Sequence, residues 1–508
     1  MTSSIAALLI PGFGGEIFAP GNAEYDAKRV QYASLSYPEK QGPGGSMRPY
    51  LIAYPRPSSD DIPAAIRFAR ANHKHIVARS GGHQYSGMSS GGDDTVVLSM
   101  DLHQDLEFKV VGDKTFARVG VGTHLTDLAA AFKGHGVTMP HGECPRVCIG
   151  GHVQSGGYGL LLRGYGLALD HVSEFKIYTA DGTLQTVRRP AAQDRNGLWW
   201  GVLGGGPGSF GVLTEVTVEC LRDADHPYSS GYQGFFAYDK AMFARAMNEI
   251  RVWSEKVASQ DPALPKDVDV QISLIAEKAA GKPAVIVEMI YGNKDGRDDR
   301  GRNSAFLDEV VKRIVGDQQM APGRGHQGAH PLSFMADAKV RRDDFTPGGR
   351  EFDLPIKKRM NCTKRALSAT FINAFSDLVD RVTQSRTVKL VVQTFVGGGV
   401  YASTDVTPPL SSICHRDMVA AIVFDCFYTP EGLEDAKRYQ AEMEGLLGEF
   451  SGDQEMRMLW GSFGDTNMAN EQVRKCYYDD ATWRDLQKLK KQVDAGDLFH
   501  TAFTVQLA

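Results

Sequence analysis

The chain lacks any apolar run approaching the roughly 20 residues that a membrane-spanning helix needs, so no membrane association is expected. It also lacks a long Lys/Arg block. With 61 acidic residues against 56 basic ones the formal charge is -5, which argues against a nucleic-acid partner. The seven cysteines, at positions 144, 148, 220, 362, 414, 426 and 476, are odd in number and scattered. This excludes a dense disulfide framework. None of them forms a Cys-x-x-Cys redox pair. The opening "MTSSIAALLIPGFGG" has a short apolar run but no basic segment before it and no clear cleavage pattern, so no secretory signal is expected. These absences predict a soluble protein of a reducing, cytoplasmic compartment, with secretion left open.

What is present is a chain of 508 residues, 42% hydrophobic and 23% charged. That is enough to bury a large core and too long for one compact domain. Two domains are expected. From about residue 50 to 220, helical and β-rich runs alternate. "SSDDIPAAIRFARANH" has Ser and Asp start signals followed by Ile62, Ile66 and Phe68 at helical spacing, and "KHIVARSGGH" reads as a strand running into glycines. This is the rhythm of an α/β nucleotide-binding region. "VSEFKIYTADGTLQTV" carries the Asp-Gly pair of a hairpin turn. Between about 225 and 450, longer helical patterns alternate with long strands such as "VDVQISLIAE", "TVKLVVQTFVGGG" and "AAIVFDCFY". They predict an α+β domain with a sheet covered on one face. The polar, Gly/Pro-containing stretch "HQGAHPLSFMADAKVRRDDFTPGGREFDLP" is expected to be a long surface loop.

Three motifs can carry chemistry. Gly206-x-Gly208-x-x-Gly211 has dinucleotide-fingerprint spacing, but the following "VLTEVTVEC" alternates like a strand where that fingerprint needs a helix. A nicotinamide site is therefore not expected, and a tight turn between strands is the plainer reading. In "ARSGGHQYSG", Gly81 and Gly82 follow a strand and can turn their N–H groups toward a phosphate, with Arg79 nearby. His83 is read either as functional or as an ordinary structural histidine, and Tyr85 as a neighbour on the same side or as a packed aromatic. The third motif, "HGECPRVCIGGHVQSGGYG", places His141, Cys144, Cys148 and His152 within a few turns of chain. Structural zinc sites bring ligands as separated pairs on a rigid frame, and here the frame is glycine. No metal is expected. A loop lying flat against a broad ligand fits better, with Cys144 as a nucleophile or, on the plainer reading, a buried inert thiol.

Taken together, "RSGGH", "CPRVCIGGHVQSGGYG", "GYGLALDHV", "GLWWGVLGGGPGSFGVLTEVTV" and the tail "KCYYDDATWRDLQKLKKQVDAGDLF" resemble the berberine bridge enzyme-like flavoproteins, of the vanillyl-alcohol oxidase (PCMH) type. The resemblance implies a two-domain α+β fold: an FAD-binding domain over 1–224 with its core about 46–223, a substrate domain over 225–455 built on an antiparallel sheet covered by helices, and a segment 456–508 returning to the FAD domain. It implies FAD linked covalently twice, through His83 to the 8α-methyl carbon and through Cys144 to C6. Further contacts carry over onto Arg79, Ser80, Gly81, Gly82, Gly87, His141, Gly142, Gly150, Gly151, His152, Gly156, Gly157 and Val212, with Tyr478 added from the tail. Val147 matches the position beside flavin C4a, where a small side chain admits dioxygen; the alternative is a core valine.

For an alcohol donor the implied chemistry is hydride delivery to flavin N5 with a base taking the hydroxyl proton. In "AAIVFDCFY" strand alternation puts Ala421, Val423, Asp425 and Phe427 on one face. An acid there is costly unless it is functional or paired, so Asp425 is the first candidate for the base, an internal Arg pair being the alternative. Relatives carry Tyr-x-Asn-Tyr before the last helix, whereas this chain has "WGSFGD", with Trp460, Ser462 and Phe463 there, and Ala481 replaces a later asparagine. Tyr85, Tyr401 and Tyr478 are the remaining phenols, and Gln393 and Thr394 the candidate substrate contacts. The expected protein is an FAD-linked oxidase of an alcohol-type carbon, a sugar hydroxyl or a secondary-metabolite alcohol, with O2 reduced to H2O2. It is expected as a monomer or homodimer. The alternatives are a dehydrogenase or oxidative cyclase using another acceptor, and a flavin-loaded binding protein without catalysis.

Overall fold

The computed structural model describes residues 10–30, 32, 47–85, 87–275, 283–297, 300–316, 327–340, 354–402, 410–451 and 470–508. The N-terminal part holds two sheets. In the first, β1 (Glu16–Phe18), β2 (Leu51–Tyr54), β3 (His75–Arg79) and β4 (Thr95–Ser99) lie in the order β1-β2-β4-β3, with β2, β4 and β3 parallel and β1 antiparallel at the edge. Parallel strands are covered on both faces and so read as unbroken apolar runs; all of β2 and β4 is buried. Helix α1 (Asp61–Ala71) connects β2 to β3 and buries Ile62 and Ile66, with Phe68 partly covered. Its first residue, Asp61, is buried and accepts from the Gly14 and Arg56 N–H groups at 2.7 and 2.9 Å. Burial pushes its carboxyl up, but the Arg56 guanidinium, whose Nε donates to it at 3.0 Å, together with these two bonds holds it below the usual range.

The second sheet is antiparallel and contains β5 (Leu106–Val111), β6 (Lys114–Gly120), β7 (Val137–Thr138), β8 (Val172–Tyr178), β9 (Leu184–Arg188) and β10 (Val212–Arg222), in the order β5-β6-β10-β8-β9 with β7 on β10. The hairpin predicted at "TADGTL" joins β8 to β9, and the run after the glycine triplet is strand β10, as its alternation requires. Helices α2 (Leu125–Gly134) and α3 (Ile149–Gln154) flank the glycine-rich stretch between them.

The third sheet has seven antiparallel strands: β11 (Ser230–Ala237), β12 (Val268–Ile275), β13 (Ala284–Tyr291), β14 (Gln327–Ala329), β15 (Ile356–Thr363), β16 (Val388–Val396) and β17 (Ala420–Tyr428), ordered β14-β11-β13-β12-β16-β17-β15. One face packs Val270, Ile272, Val287, Val392, Ile422 and Phe424 against α4 (Lys240–Ala258), α5 (Arg300–Val315), α6 (Ala369–Thr383) and α7 (Leu433–Ser451). The other face turns toward the first part of the chain, where Met360, Cys362, Phe395, Ala421 and Val423 join its core. This is the α+β architecture the sequence predicts, with a helix-covered antiparallel sheet.

One expectation fails. The stretch from His326 is not a bare surface loop, because it forms β14 and a helix, Leu332–Ala338. Leu332, Met335 and Ala336, at i, i+3 and i+4, are buried against Leu160, Leu161, Tyr165 and Ile290. The helix is only two turns long and its flanks are polar, which hid its apolar stripe. Residues 341–353 of that stretch lie outside the described residues.

The C-terminal segment closes on the first part of the chain. Helix α8 (Asp480–Val493) places Leu486 and Leu489 in its core, and the Ile76 N–H donates to the Leu498 carbonyl at 2.7 Å. Lys490 and Asp494, fully buried, pair at 2.6 Å, and Lys490 Nζ also donates to the Ser209 and Phe499 carbonyls at 3.0 and 2.7 Å. A buried ammonium is tolerated only with such complete pairing. No helix among the described residues is long and apolar enough to cross a membrane.

Candidate functional site

Between the seven-stranded sheet and the glycine-rich loops runs a cleft with about 1730 Å³ of space free of atoms, open solvent at its mouth included. Four pieces of chain build it. The end of β3 delivers Arg79, Ser80, Gly81, Gly82, His83 and Tyr85; the loop between α2 and α3 delivers His141, Gly142, Glu143, Cys144 and Val147; α3 and the turn after it add Gly150, Gly151, His152, Gln154 and Gly157; the sheet contributes Gln271, Ile290, Gln393 and Phe395 on the facing wall.

Close backbone approach explains how the first two loops meet. A Cβ on Gly81 would lie 2.7 Å from the Arg146 carbonyl oxygen and 2.9 Å from Cys148 N, so only glycine lets β3 end against the cysteine loop. His83 and Cys144, from distant parts of the sequence, therefore line one cleft. The His83 ring lies against Tyr32, tilted, with centroids 5.1 Å apart, and the Arg146 guanidinium lies over the Tyr32 ring at 5.5 Å.

The cysteine loop is pinned from within, because the Gly142 N–H donates to His152 Nε2 at 3.1 Å. A ring nitrogen that accepts is unprotonated. Burial first, then repulsion from His141 and His83, pushes His152 from its ordinary 6.5 down to about 3. Cys148 is buried, with its Sγ 3.3 Å from the Gly122 carbonyl oxygen, and burial pushes its thiol up. It is a packed thiol, in contrast to half-buried Cys144. The Gly206–Gly211 turn is tied to α3 by the Gly208 N–H, which donates to Gln154 Oε1 at 3.1 Å.

Several candidates lie elsewhere. Gly87 closes a turn, its N–H donating to the Gln84 carbonyl, and packs against Met47. Gly156 backs onto the Tyr158 ring. Val212 is buried in the core while its neighbour Leu213 lines the cleft, because successive strand residues face opposite ways. Tyr401 lies behind Tyr158, centroids 6.1 Å apart, and its hydroxyl donates to the His415 carbonyl at 2.6 Å. Burial raises its pKa well above the usual phenol range, so it is poorly suited to take a proton. Tyr478 lines a small adjoining pocket, with its hydroxyl 3.4 Å from the Gly204 carbonyl oxygen. Thr394 faces away, bonding across to Ile272. Asp425 is on the predicted face, where it pairs with Val391, two residues along from the cleft-lining Gln393, beside the cluster of Tyr85, Val391 and Phe427. Trp460, Ser462 and Phe463 lie outside the described residues.

Other cleft residues escaped sequence reasoning. Lys339, just past the Leu332–Ala338 helix, is buried 3.5 Å from Glu288 Oε1. Gln271 is polar at an alternate position of "VDVQISLI", and that period-2 pattern of Asp269, Gln271 and Ser273 was a readable signal of a polar inner face. Glu143 is a carboxylate inside a glycine-cysteine stretch.

The wall suits FAD. Arg79 is buried, and its Nη1 has no hydrogen-bond partner among the described residues, which leaves a cation for an anionic group to satisfy. A side chain on Gly151 would meet nothing nearer than Ser80 Oγ at 3.9 Å and would project into the space a flat ligand needs.

Residues 49–188 match the FAD binding domain family. An FAD-linked oxidoreductase of Metarhizium anisopliae, dpmaF, is 25% identical over 480 residues, 91% of this chain and 84% of that protein. Several other curated relatives, among them Arabidopsis berberine bridge enzyme-like proteins, match over only about a third of their own length. Among solved structures, berberine bridge enzyme-like 1 of Physcomitrella patens superposes with a TM-score of 0.76 at 19% identity, covering 99% of both chains. The glucooligosaccharide oxidase of Acremonium strictum gives 0.75 at 19%, covering 97% of this chain and 96% of that one. The matched domain makes residues 49–188 an FAD-binding domain, and the fold of the chain is that of these solved structures. Berberine bridge enzyme-like proteins and FAD-linked oxidoreductases are among its relatives, and a berberine bridge enzyme-like protein is among the structures that share its fold.

Proposed function

We propose that the protein is an FAD-dependent oxidase of an alcohol-type carbon, a sugar hydroxyl or a secondary-metabolite alcohol, carrying flavin linked through His83 and Cys144. The observation that carries this reading is the meeting of the His83 and Cys144 loops along one cleft, opposite polar residues of the seven-stranded sheet. When bound, the flavin supplies a two-electron acceptor that takes hydride from carbon and returns the electrons to dioxygen. The chain's residues supply the rest.

Arg79 offers a buried cation to the cofactor's anionic part, and Gly151, where a side chain would meet nothing nearer than 3.9 Å, leaves room for its flat part. His152, held neutral, fixes the loop that bears Cys144. Gln271 and Gln393 present amides from the sheet to an incoming hydroxyl compound. Val147 is half-buried on the cleft wall, where a small side chain would admit dioxygen. The likeness to a glucooligosaccharide oxidase supports a sugar hydroxyl as the donor.

The test is anaerobic mixing of the purified holoprotein with sugars, aliphatic alcohols and benzylic alcohols, followed by admission of air. Bleaching by one donor, rapid recolouring and stoichiometric peroxide are expected. Bleaching with slow recolouring would replace the oxidase by a dehydrogenase or cyclase, and no bleaching with any donor would contradict catalysis of this kind.

A further inference from the structure

Glu143 directly precedes Cys144 and is half-buried on the cleft wall. Two glutamines of the seven-stranded sheet reach it: Gln271 Nε2 donates to Oε2 at 3.0 Å, and Gln393 Nε2 donates to Oε1. They stand on neighbouring strands. Gln393 of β16 is in register with Ser273 of β12, and Gln271, two residues before Ser273, is on the same face. Gln271 is buried and is itself fixed, its Nε2 also donating to Ser273 Oγ at 3.1 Å. Glu143 is engaged beyond these two bonds as well, so its carboxyl is an anchored group. The same loop is tied within its own part of the chain, where the Gly142 N–H donates to His152 Nε2 of α3 at 3.1 Å. Cys144 thus follows one residue tied to the sheet and another tied to α3.

We propose that Glu143 and its two glutamines form a clasp between the cysteine loop and the sheet that positions Cys144 for its bond to the flavin; this rests on the reading of His83 and Cys144 as the linking residues. The loop of His83 is set without the sheet, since it leaves β3 and closes on Arg146 and Cys148 at Gly81. Cys144 sits mid-loop between β7 and α3, where the regular elements alone do not fix it. A bond of this kind forms from a near-attack geometry, and a misplacement of about 1 Å costs up to about 10²-fold in rate. In the step, the Cys144 sulfur bonds to flavin C6, the thiol proton and the C6 proton leave, and the two electrons released reduce the flavin. Dioxygen then takes two electrons and two protons to give H2O2, and the flavin is oxidised again. The clasp takes no part in these transfers and only holds the sulfur in place. Losing it should therefore strip the Cys144 link and spare the His83 link. Because Glu143 and the glutamines make one contact, losing either end should do the same harm as losing both.

The experiment compares full-length wild type, Glu143→Ala, the double variant Gln271→Leu/Gln393→Leu and the combination of all three. Lys133→Ala is the control, since it removes another contact between the first part of the chain and the substrate side, the Lys133–Asp337 ion pair at 2.7 Å. Each protein is incubated in air with FAD, sampled over time, denatured, alkylated at its free thiols and digested. Mass spectrometry then reads how much flavin is held by His83 alone and how much bridges the His83 and Cys144 peptides. Wild type and Lys133→Ala should convert fully to the bridged form. Glu143→Ala and the glutamine variant should keep the His83 link and bridge about 10- to 100-fold more slowly, with no further slowing in the combination. Equal bridging in wild type and Glu143→Ala would overturn the clasp alone. So would equal loss of both links, additive slowing in the combination, or the same slowing in Lys133→Ala. Absence of any linked flavin from wild type would overturn the linking reading and the clasp with it. If Glu143→Ala does not fold, Glu143→Gln decides, because its amide keeps one acceptor oxygen where the carboxyl has two: slower bridging is expected, and unchanged bridging would overturn the proposal.

Discussion

His152 offers a prediction whose size follows from the structure. Its ring accepts the Gly142 N–H and is neutral in the folded protein, with its pKa pushed by burial and by His141 and His83 from 6.5 to about 3. In the unfolded chain the same ring takes up a proton below about 6.5. Between these values the unfolded state binds more protons than the folded one, so stability rises with pH across the window and is lost as pH falls from 6.5 toward 3. Moving from pH 7.5 to 5.0 should cost about 2 kcal/mol from this group, at about 1.4 kcal/mol per pH unit traversed below 6.5. His152→Asn keeps an acceptor for Gly142 and removes the titration. It should be less stable than wild type by about 1 kcal/mol at pH 7.5, the scale of one imperfect hydrogen bond, and should lose about 2 kcal/mol less than wild type on acidification. Urea unfolding of both holoproteins at the two pH values, followed by tryptophan fluorescence, measures the difference. An identical pH 7.5 to 5.0 loss in the two proteins would show that His152 is not a neutral buried acceptor.

Three further outcomes are expected. Gly81→Ala forces a Cβ onto the Arg146 carbonyl and Cys148 N, so the two loops must part; visible absorbance per protein should fall sharply, and full flavin content would refute the close-approach argument. Lys490→Met leaves Asp494 buried with its partner gone and should cost about 3–5 kcal/mol, seen as a large drop in Tm; an unchanged Tm would deny the C-terminal latch its role. Val147→Leu should slow recolouring of the reduced flavin by air about tenfold, which is about 1.4 kcal/mol of barrier, while leaving the bleaching rate near wild type. Equal slowing of both steps would point to distortion instead of blocked oxygen access.

Local signals in the sequence were strong where chemistry and backbone coincide. The glycines of "RSGGH" and "HGECPRVCIGGH" mark close approach, and the structure brings those two segments together at Gly81. The strand after the glycine triplet was readable because alternation and helical period differ plainly. Depth was harder. Alternation placed Asp425 on the predicted face of β17, but what surrounds it there, the cluster of Tyr85, Val391 and Phe427, is encoded in no local pattern. Tyr401 looked available until its hydroxyl was seen on the His415 carbonyl. The Leu332–Ala338 helix was hidden by its length, and with it Lys339. Glu143 and Gln271 are single polar residues whose meaning arises only when two separate parts of the chain bring them within 3.0 Å.

The central claim is that one cleft holds a flavin between His83 and Cys144, and mass spectrometry of the acid-denatured protein tests it most directly. The account predicts an intact mass raised by one FAD, and a proteolytic fragment in which the peptides containing His83 and Cys144 are joined through the flavin. A bare polypeptide mass, with all flavin released into the supernatant, would contradict it.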